Sequence, residues 1–368
     1  MKVAYITHYL PSYRYNILNK LVNHYNIKLT VYSDVTPQIG LDLNTKRNKV
    51  FNSVHSTYRI IQIKNKKFYY QKDILKLLVN NDYDVYIISA LKSDISVWLG
   101  LIMGKLMKRK IVIWGHCRKN ENKFHNLLME IMFKLSTSII FYSQDFKLKW
   151  NFKRGLNLKS FVAPNTLEIN NTLSAHLSYP FSEKHITGIF VGRLIKAKKI
   201  DLLLKAIHLT IKKGIFFNMI IIGDGPEKAR LNIMCSKLKI TKYVIFKDSI
   251  FDEKILSSYY SFSDIAVIPS HAGLAINQSF AYGKPVLTDN NFVEHPPEIT
   301  MITENKTGIF YQQNDVYDFS EKITNLVLNK EKLVEMGKNA KLSFNEYFSP
   351  IKMVNGIYKA INYADKVS

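Results

Sequence analysis

Residues 268–286 read IPSHAGLAINQSFAYGKPV, and the reading of this stretch decides the fold. The apolar run Ile265-Ala266-Val267-Ile268 stops at Pro269-Ser270. Small residues follow at Ala272 and Gly273, and Leu274 to Tyr282 has helical composition up to Gly283-Lys284-Pro285. That order predicts a strand, a glycine turn, a helix and a stop. In a parallel α/β sheet such a turn lies at the carboxyl end of a strand. It aims the free N–H groups of the next helix at the crevice, where an anion is favoured. The same residues also fit an ordinary βα turn whose glycine serves close packing.

Working upstream, Phe190-Val191-Gly192-Arg193-Leu194 ends another apolar strand, and Lys198 precedes the periodic run Ile200 to Ile207. Ile220-Ile221-Ile222-Gly223-Asp224-Gly225-Pro226 repeats the strand-into-glycine pattern. VGRLIKAKK (191–199), IIGDGP (221–226), FSDIAVIPS (262–270), GLAINQSFAYGKPV (273–286), HPPE (295–298) and NKTGIF (305–310) follow in register over roughly half the chain. In this order they resemble the C-terminal domain of the retaining GT-B glycosyltransferases of family 4, or "group 1", type, and in particular its bacterial surface-polysaccharide branch. The chain departs from the family at Ser270 and Gln278, where two glutamates eight positions apart are usual. Gln278 can still accept one hydrogen bond and donate another. It lacks the charge-assisted bond, which is roughly twice as strong as a neutral one.

The resemblance implies an α/β fold with two Rossmann-like doubly wound domains facing across a cleft and a C-terminal helix crossing back to the first. The expected boundaries are 1–172 for an acceptor-side domain, 173–185 for a linker, 186–348 for a nucleotide-sugar-binding domain and 349–368 for the crossover helix. It further implies metal-independent transfer with retention, no cofactor, a nucleotide sugar as donor and a lipid-linked glycan as acceptor. His116, Arg193 and Lys198 are the expected catalytic residues, the last two as cations beside the departing diphosphate. Gly192, Gly225, Ser270, Gly273, Leu274, Ala275, Gln278 and Glu298 are expected around the donor. Tyr13, Arg14 and Arg118 are the candidates for a phosphate or the acceptor. Two other readings stay open: a GT-B sugar-nucleotide epimerase, and a non-catalytic binding partner that has lost the two glutamates.

Composition sets the outer limits. A chain of 368 residues with 47% hydrophobic residues exceeds the size at which one core stops growing, so two domains are expected. Cys117 and Cys235 have neither disulfide-framework nor metal spacing, which suits a reducing, cytoplasmic setting. Met1-Lys2 runs directly into VAYI, which reads as a buried strand rather than a signal peptide. The net charge of +23 is uneven: residues 1–172 hold 27 Lys and Arg against 10 Asp and Glu, and the first glutamate is Glu121. One reading is a genomic bias towards Lys, Asn and Ile codons. The functional expectation is an N-terminal half facing an anionic surface, the inner face of the cytoplasmic membrane, as a peripheral protein. No nucleic-acid-binding motif is present, so no nucleic-acid partner is expected.

Along the N-terminal half, Val3 to Ile6, Ile27 to Tyr32, Val85 to Ser89 and Ile111 to Trp114 read as buried strands. No G-x-G-x-x-G follows the first, which removes the main support for a nicotinamide or flavin site. Residues 36–60 read as polar and irregular, and Tyr69 to Leu78 as a helix. Ile95 to Met107 is apolar but short of the ~20 residues that span a bilayer. Phe124 to Leu135 is amphipathic with basic flanks, and with Lys105 to Lys110 and Lys147 to Arg154 it forms the expected membrane-facing rim. No Walker loop, glycosidase-type carboxylate pair or metal-site spacing appears.

Overall fold

The computed structural model describes residues 1–34, 50–119, 121–169 and 177–367. The chain divides into two compact units, Met1–Glu168 with Ser349–Ser368, and Ile169–Phe348. The expected linker at 173–185 lies partly outside the described residues, as does the part 36–49 of the segment 36–60 that reads as irregular.

Unit 1 holds β1 (Lys2–Tyr9), β2 (Lys28–Asp34), β3 (Asn52–His55), β4 (Arg59–Ile63), β5 (Lys66–Tyr70), β6 (Val85–Ser89), β7 (Ile111–Gly115), β8 (Ser138–Phe141) and β9 (Ser160–Val162). Seven of them form a parallel sheet in the order β3-β2-β1-β6-β7-β8-β9. Val85 to Ile88 and Ile111 to Trp114 are buried throughout, because helices cover both faces of a parallel sheet and the central strands need apolar residues on both sides. Helices Ser12–Tyr25 and Pro350–Lys366 cover one face through Ile17, Leu21, Met353 and Ile357. Helices Asp73–Asn80, Ile95–Leu106 and Lys123–Leu135 cover the other through Leu78, Leu101 and Phe133.

One expectation needs correction here. Tyr69 and Tyr70 are not helical: they end β5, which pairs antiparallel with β4, and the helix starts at Asp73. Phe68-Tyr69-Tyr70 has the aromatic composition that favours a strand, and Lys64, at φ 52°, makes the tight reversal between the two strands. Asn52–His55, inside the stretch that reads as irregular, pairs with β2.

The last helix belongs to this unit. Met353, Val354, Ile357, Ala360, Ile361 and Ala364 are fully buried. The backbones meet so closely that a Cβ on Gly356 would lie 2.1 Å from the carbonyl oxygen of Val162.

Unit 2 contains β10 (Thr187–Val191), β11 (Asn218–Ile222), β12 (Val244–Lys247), β13 (Ile265–Val267), β14 (Val286–Asp289) and β15 (Gly308–Tyr311). They form a second parallel sheet in the order β12-β11-β10-β13-β14-β15. Both sheets therefore reverse their winding once, between β1 and β6 in unit 1 and between β10 and β13 in unit 2. Loops leaving the carboxyl ends of the strands diverge at such a switch point and open a crevice for ligands.

Candidate functional site

In unit 2 the loops on either side of the switch point are joined by one bond. Lys198, at the end of the short 3-10 turn Lys196–Lys198 after β10, donates its Nζ to the carbonyl oxygen of His271 after β13, 2.6 Å away. Burial pushes the Lys198 pKa below the ordinary lysine value, and the Glu298 carboxylate works in the opposite direction. His271 has φ 50°, unusual for a residue with a side chain, and this conformation accompanies its carbonyl's bond to Lys198. Arg193, at the end of β10, is exposed.

The glycines after β11 are explained by packing. A Cβ on Gly223 would stand 1.9 Å from the carbonyl oxygen of Gly192, and one on Gly225 2.4 Å from that of Leu194, with φ 154° and 153° respectively. The two loops continue the ladder: Gly192 N–H donates to Ile222 at 3.0 Å and Leu194 N–H to Asp224 at 2.8 Å. Gly225, expected at the donor, is thus also the residue that lets the Arg193 loop close against its neighbour.

Gly273 precedes the helix Leu274–Ala281, which starts without a side-chain cap, so Leu274 and Ala275 present backbone N–H groups at its mouth. Glu298 is 3% exposed, and a Cβ on Gly273 would lie 3.9 Å from its Oε2. Lys198, Gly273 and Glu298 therefore meet at one place. Gln278 stands one turn down the helix, its Oε1 accepting from the buried Tyr260 hydroxyl at 3.4 Å.

Beneath the turn lies a buried polar chain that the sequence reading did not identify. His295 Nδ1 accepts from the Ala272 N–H at 3.0 Å, and its Nε2 meets Asp289 Oδ1 at 2.9 Å. A backbone N–H can only donate, so the imidazole must be the Nε2–H tautomer, neutral, donating to the carboxylate. Ser270, fully buried, places its Oγ 3.2 Å from His271 Nδ1. Ser270 thus belongs to the support of the turn. The one available signal was the HPPE motif, which located His295 without giving it a partner.

Unit 1 has a comparable arrangement at its own switch point. His8 in β1 holds its Nε2 2.6 Å from Oδ2 of Asp94, the residue that caps helix Ile95–Leu106 through its other oxygen. Asp94 before an apolar run is a readable cap signal; its pairing with His8 was not readable. A cavity of about 470 Å³ opens beside them at the ends of β1, β6 and β7, and Tyr13, Arg14, His116 and Arg118 all line it. The pKa of His116 is lowered from the ordinary histidine value by burial and, less, by the charge of Arg118.

Among the described residues no group of three or more His, Cys, Asp or Glu is placed to hold a metal ion, and no helix is long and apolar enough to cross a membrane.

Residues 175–343 match the family "Glycosyl transferases group 1". The chain is 30% identical over 175 residues to an uncharacterised glycosyltransferase of Methanocaldococcus jannaschii, covering 47% of this chain and 46% of that one. It is 27% identical over 197 residues to the alpha-monoglucosyldiacylglycerol synthase of Acholeplasma laidlawii, covering 52% and 47%. The matches thus span about half the length of these curated relatives. Among solved structures, Anabaena Alr3699/HepE in complex with UDP superposes with a TM-score of 0.73 at 14% identity, over 98% of this chain and 100% of that one. That likeness gives the fold, α/β of the GT-B type.

Proposed function

Starting from a chain whose residues 175–343 match the group 1 glycosyltransferases, we propose that it transfers a sugar from a nucleoside-diphosphate sugar to a lipid-linked glycan. The observation that carries this reading is the bond from Lys198 to His271 across the switch point of unit 2, which fixes a cation beside the uncapped helix at Gly273. Arg193, Lys198 and the N–H groups of Leu274 and Ala275 neutralise the leaving diphosphate. Glu298 takes a sugar hydroxyl. Transfer proceeds with retention and without a metal: the leaving phosphate oxygen accepts the proton of the incoming hydroxyl as the glycosidic bond breaks and the new C–O bond forms on the same face.

The lipid-linked acceptor and a peripheral place on the anionic inner face of the cytoplasmic membrane, in bacterial surface-polysaccharide assembly, are part of the proposal. Their support is exposed apolar and basic residues on two helices of unit 1. Leu106, Phe124 and Leu127, at 79%, 68% and 53% exposure, stand on the helices Ile95–Leu106 and Lys123–Leu135, which also carry Lys105, Lys123 and Lys134. The glycolipid product named for the Acholeplasma relative agrees with an acceptor of this kind.

The test is a thermal-shift series with UDP, GDP, ADP, CMP and their common sugars at fixed salt. A ligand that binds only the folded chain raises its stability by RT ln(1 + [L]/Kd), so one nucleotide should stand out. That shift should vanish in Arg193→Ala, and transfer with the responding donor should fall about 10²–10³-fold. Silence across the panel, with a response appearing only in Gln278→Glu, would instead identify a non-catalytic relative.

A further inference from the structure

We propose that the cavity at the carboxyl ends of β1, β6 and β7 binds a phosphate group, one carried by the acceptor. Three cations, Arg14, Lys92 and Arg118, line this cavity, and among the described residues no aspartate or glutamate does. Arg14 is the decisive one. It is 3% exposed, and among the described residues it forms no ion pair. Its Nη2 donates to Asn165 Oδ1 at 2.6 Å and its Nη1 to the Met353 sulfur at 2.8 Å, both neutral.

Aromatic rings supply the rest of its surroundings: the guanidinium carbon lies 5.2 Å from the Trp114 ring, 5.3 Å from Tyr13 and 5.9 Å from Tyr142. Ring faces offset part of the cost of burying a cation. They do not remove the charge, and buried charges in folded proteins are normally paired. An unpaired guanidinium at a cavity wall, with two more cations on the same wall, is therefore preorganised for an anion from outside the chain. A planar donor fork suits the oxygens of a phosphate. The space of about 470 Å³ exceeds what a bare ion needs, which favours a phosphate on an organic body such as a phosphorylated polyol. That the phosphate belongs to the acceptor rests on the transferase reading; that the cavity takes an anion does not.

The test uses the full chain and four probes: inorganic phosphate, sn-glycerol 1-phosphate, phosphatidylcholine vesicles with and without phosphatidylglycerol, and the nucleotide series above. Glycerol 1-phosphate is expected to raise the melting temperature. Arg14→Met should weaken that binding about tenfold or more while leaving the nucleotide response unchanged. Without ligand, Arg14→Met should melt higher than the parent, because an uncompensated buried charge has been replaced by an apolar side chain of similar length. Should Arg14→Met not fold, Arg118→Ala decides, with a weakened glycerol 1-phosphate response expected.

The cavity assignment is overturned if neither phosphate shifts the parent, or if the shift survives both substitutions. A response to inorganic phosphate alone overturns the acceptor assignment. Phosphatidylglycerol-dependent vesicle binding that Arg14→Met does not alter belongs to the exposed helices, and it overturns the lipid headgroup as the source. Nucleotide silence with a glycerol 1-phosphate response that depends on Arg14 leaves the cavity standing and removes the transferase reading.

Discussion

Asp289 and His295 support the turn before Gly273 from beneath, through the bond of His295 to the Ala272 N–H. Burial raises the Asp289 pKa, but hydrogen bonds from His295, the Asn291 N–H and Ser270 outweigh it, and the net shift is downward. A carboxyl whose folded pKa lies below its unfolded one adds stability that is complete above the unfolded value and is lost as pH falls through the folded one. Unit 2 should therefore lose stability in acid, below the ordinary carboxylate range. His295→Leu should cost about 1.5–3 kcal/mol at neutral pH, the range for a bond to a charged group, and should flatten that acid limb in urea titrations taken pH by pH. Lys198 works at the other end of the scale. Its lowered pKa means that the ammonium, and with it diphosphate affinity, is lost on the alkaline side earlier than for an ordinary lysine. Nucleotide Kd measured against pH should show this limb, and Lys198→Arg should move it to higher pH.

At the scale of elements, two close approaches hold the loops and the last helix in place. The clash at Gly356 is with a backbone carbonyl, which has no rotamer with which to yield. Gly356→Ala should destabilise unit 1 by about 1–3 kcal/mol, read as a lower urea midpoint with an unchanged slope. The central strands of both sheets were legible because such a strand must be apolar on both sides, as Val85–Ile88 and Met219–Ile222 show, whereas β3, at the sheet edge and exposed along its length, was not. The β4/β5 hairpin was not, since its β4 is exposed along its length and gives no alternation to read. At the site, the positions of Arg193, Lys198 and Gly273 could be read from strand ends and breakers. The partners could not: Lys198 with His271 and His8 with Asp94 are far apart in sequence and are brought together only by the order of the strands, and Asp289 meets His295 only through the path of the loop that follows β14.

For the whole molecule, the uneven charge has a measurable consequence. With most of the positive excess in residues 1–172, binding to anionic vesicles should fall steeply as salt is raised, since each basic residue near a charged surface contributes about 1 kcal/mol and is screened within a Debye length. Replacing Leu106, Phe124 and Leu127 together with serine should weaken the salt-resistant remainder, measured by co-sedimentation at high salt.

The return of Ser349–Ser368 to unit 1 bears on how the chain is made. On the ribosome, the sheet face of Val3, Val112 and Ile140 is made before residue 169, but its cover, the helix Pro350–Lys366, is synthesised only after all of residues 169–348. Residues 169–348 come between, and at bacterial and eukaryotic elongation speeds they take roughly ten to forty seconds. Throughout that interval the nascent N-terminal unit displays an apolar strip while the inserted unit has everything it needs to fold. Trigger-type holdases should therefore crosslink to the emerging chain until the helix Pro350–Lys366 has left the ribosome, and a stop codon before 349 should send the product to inclusion bodies.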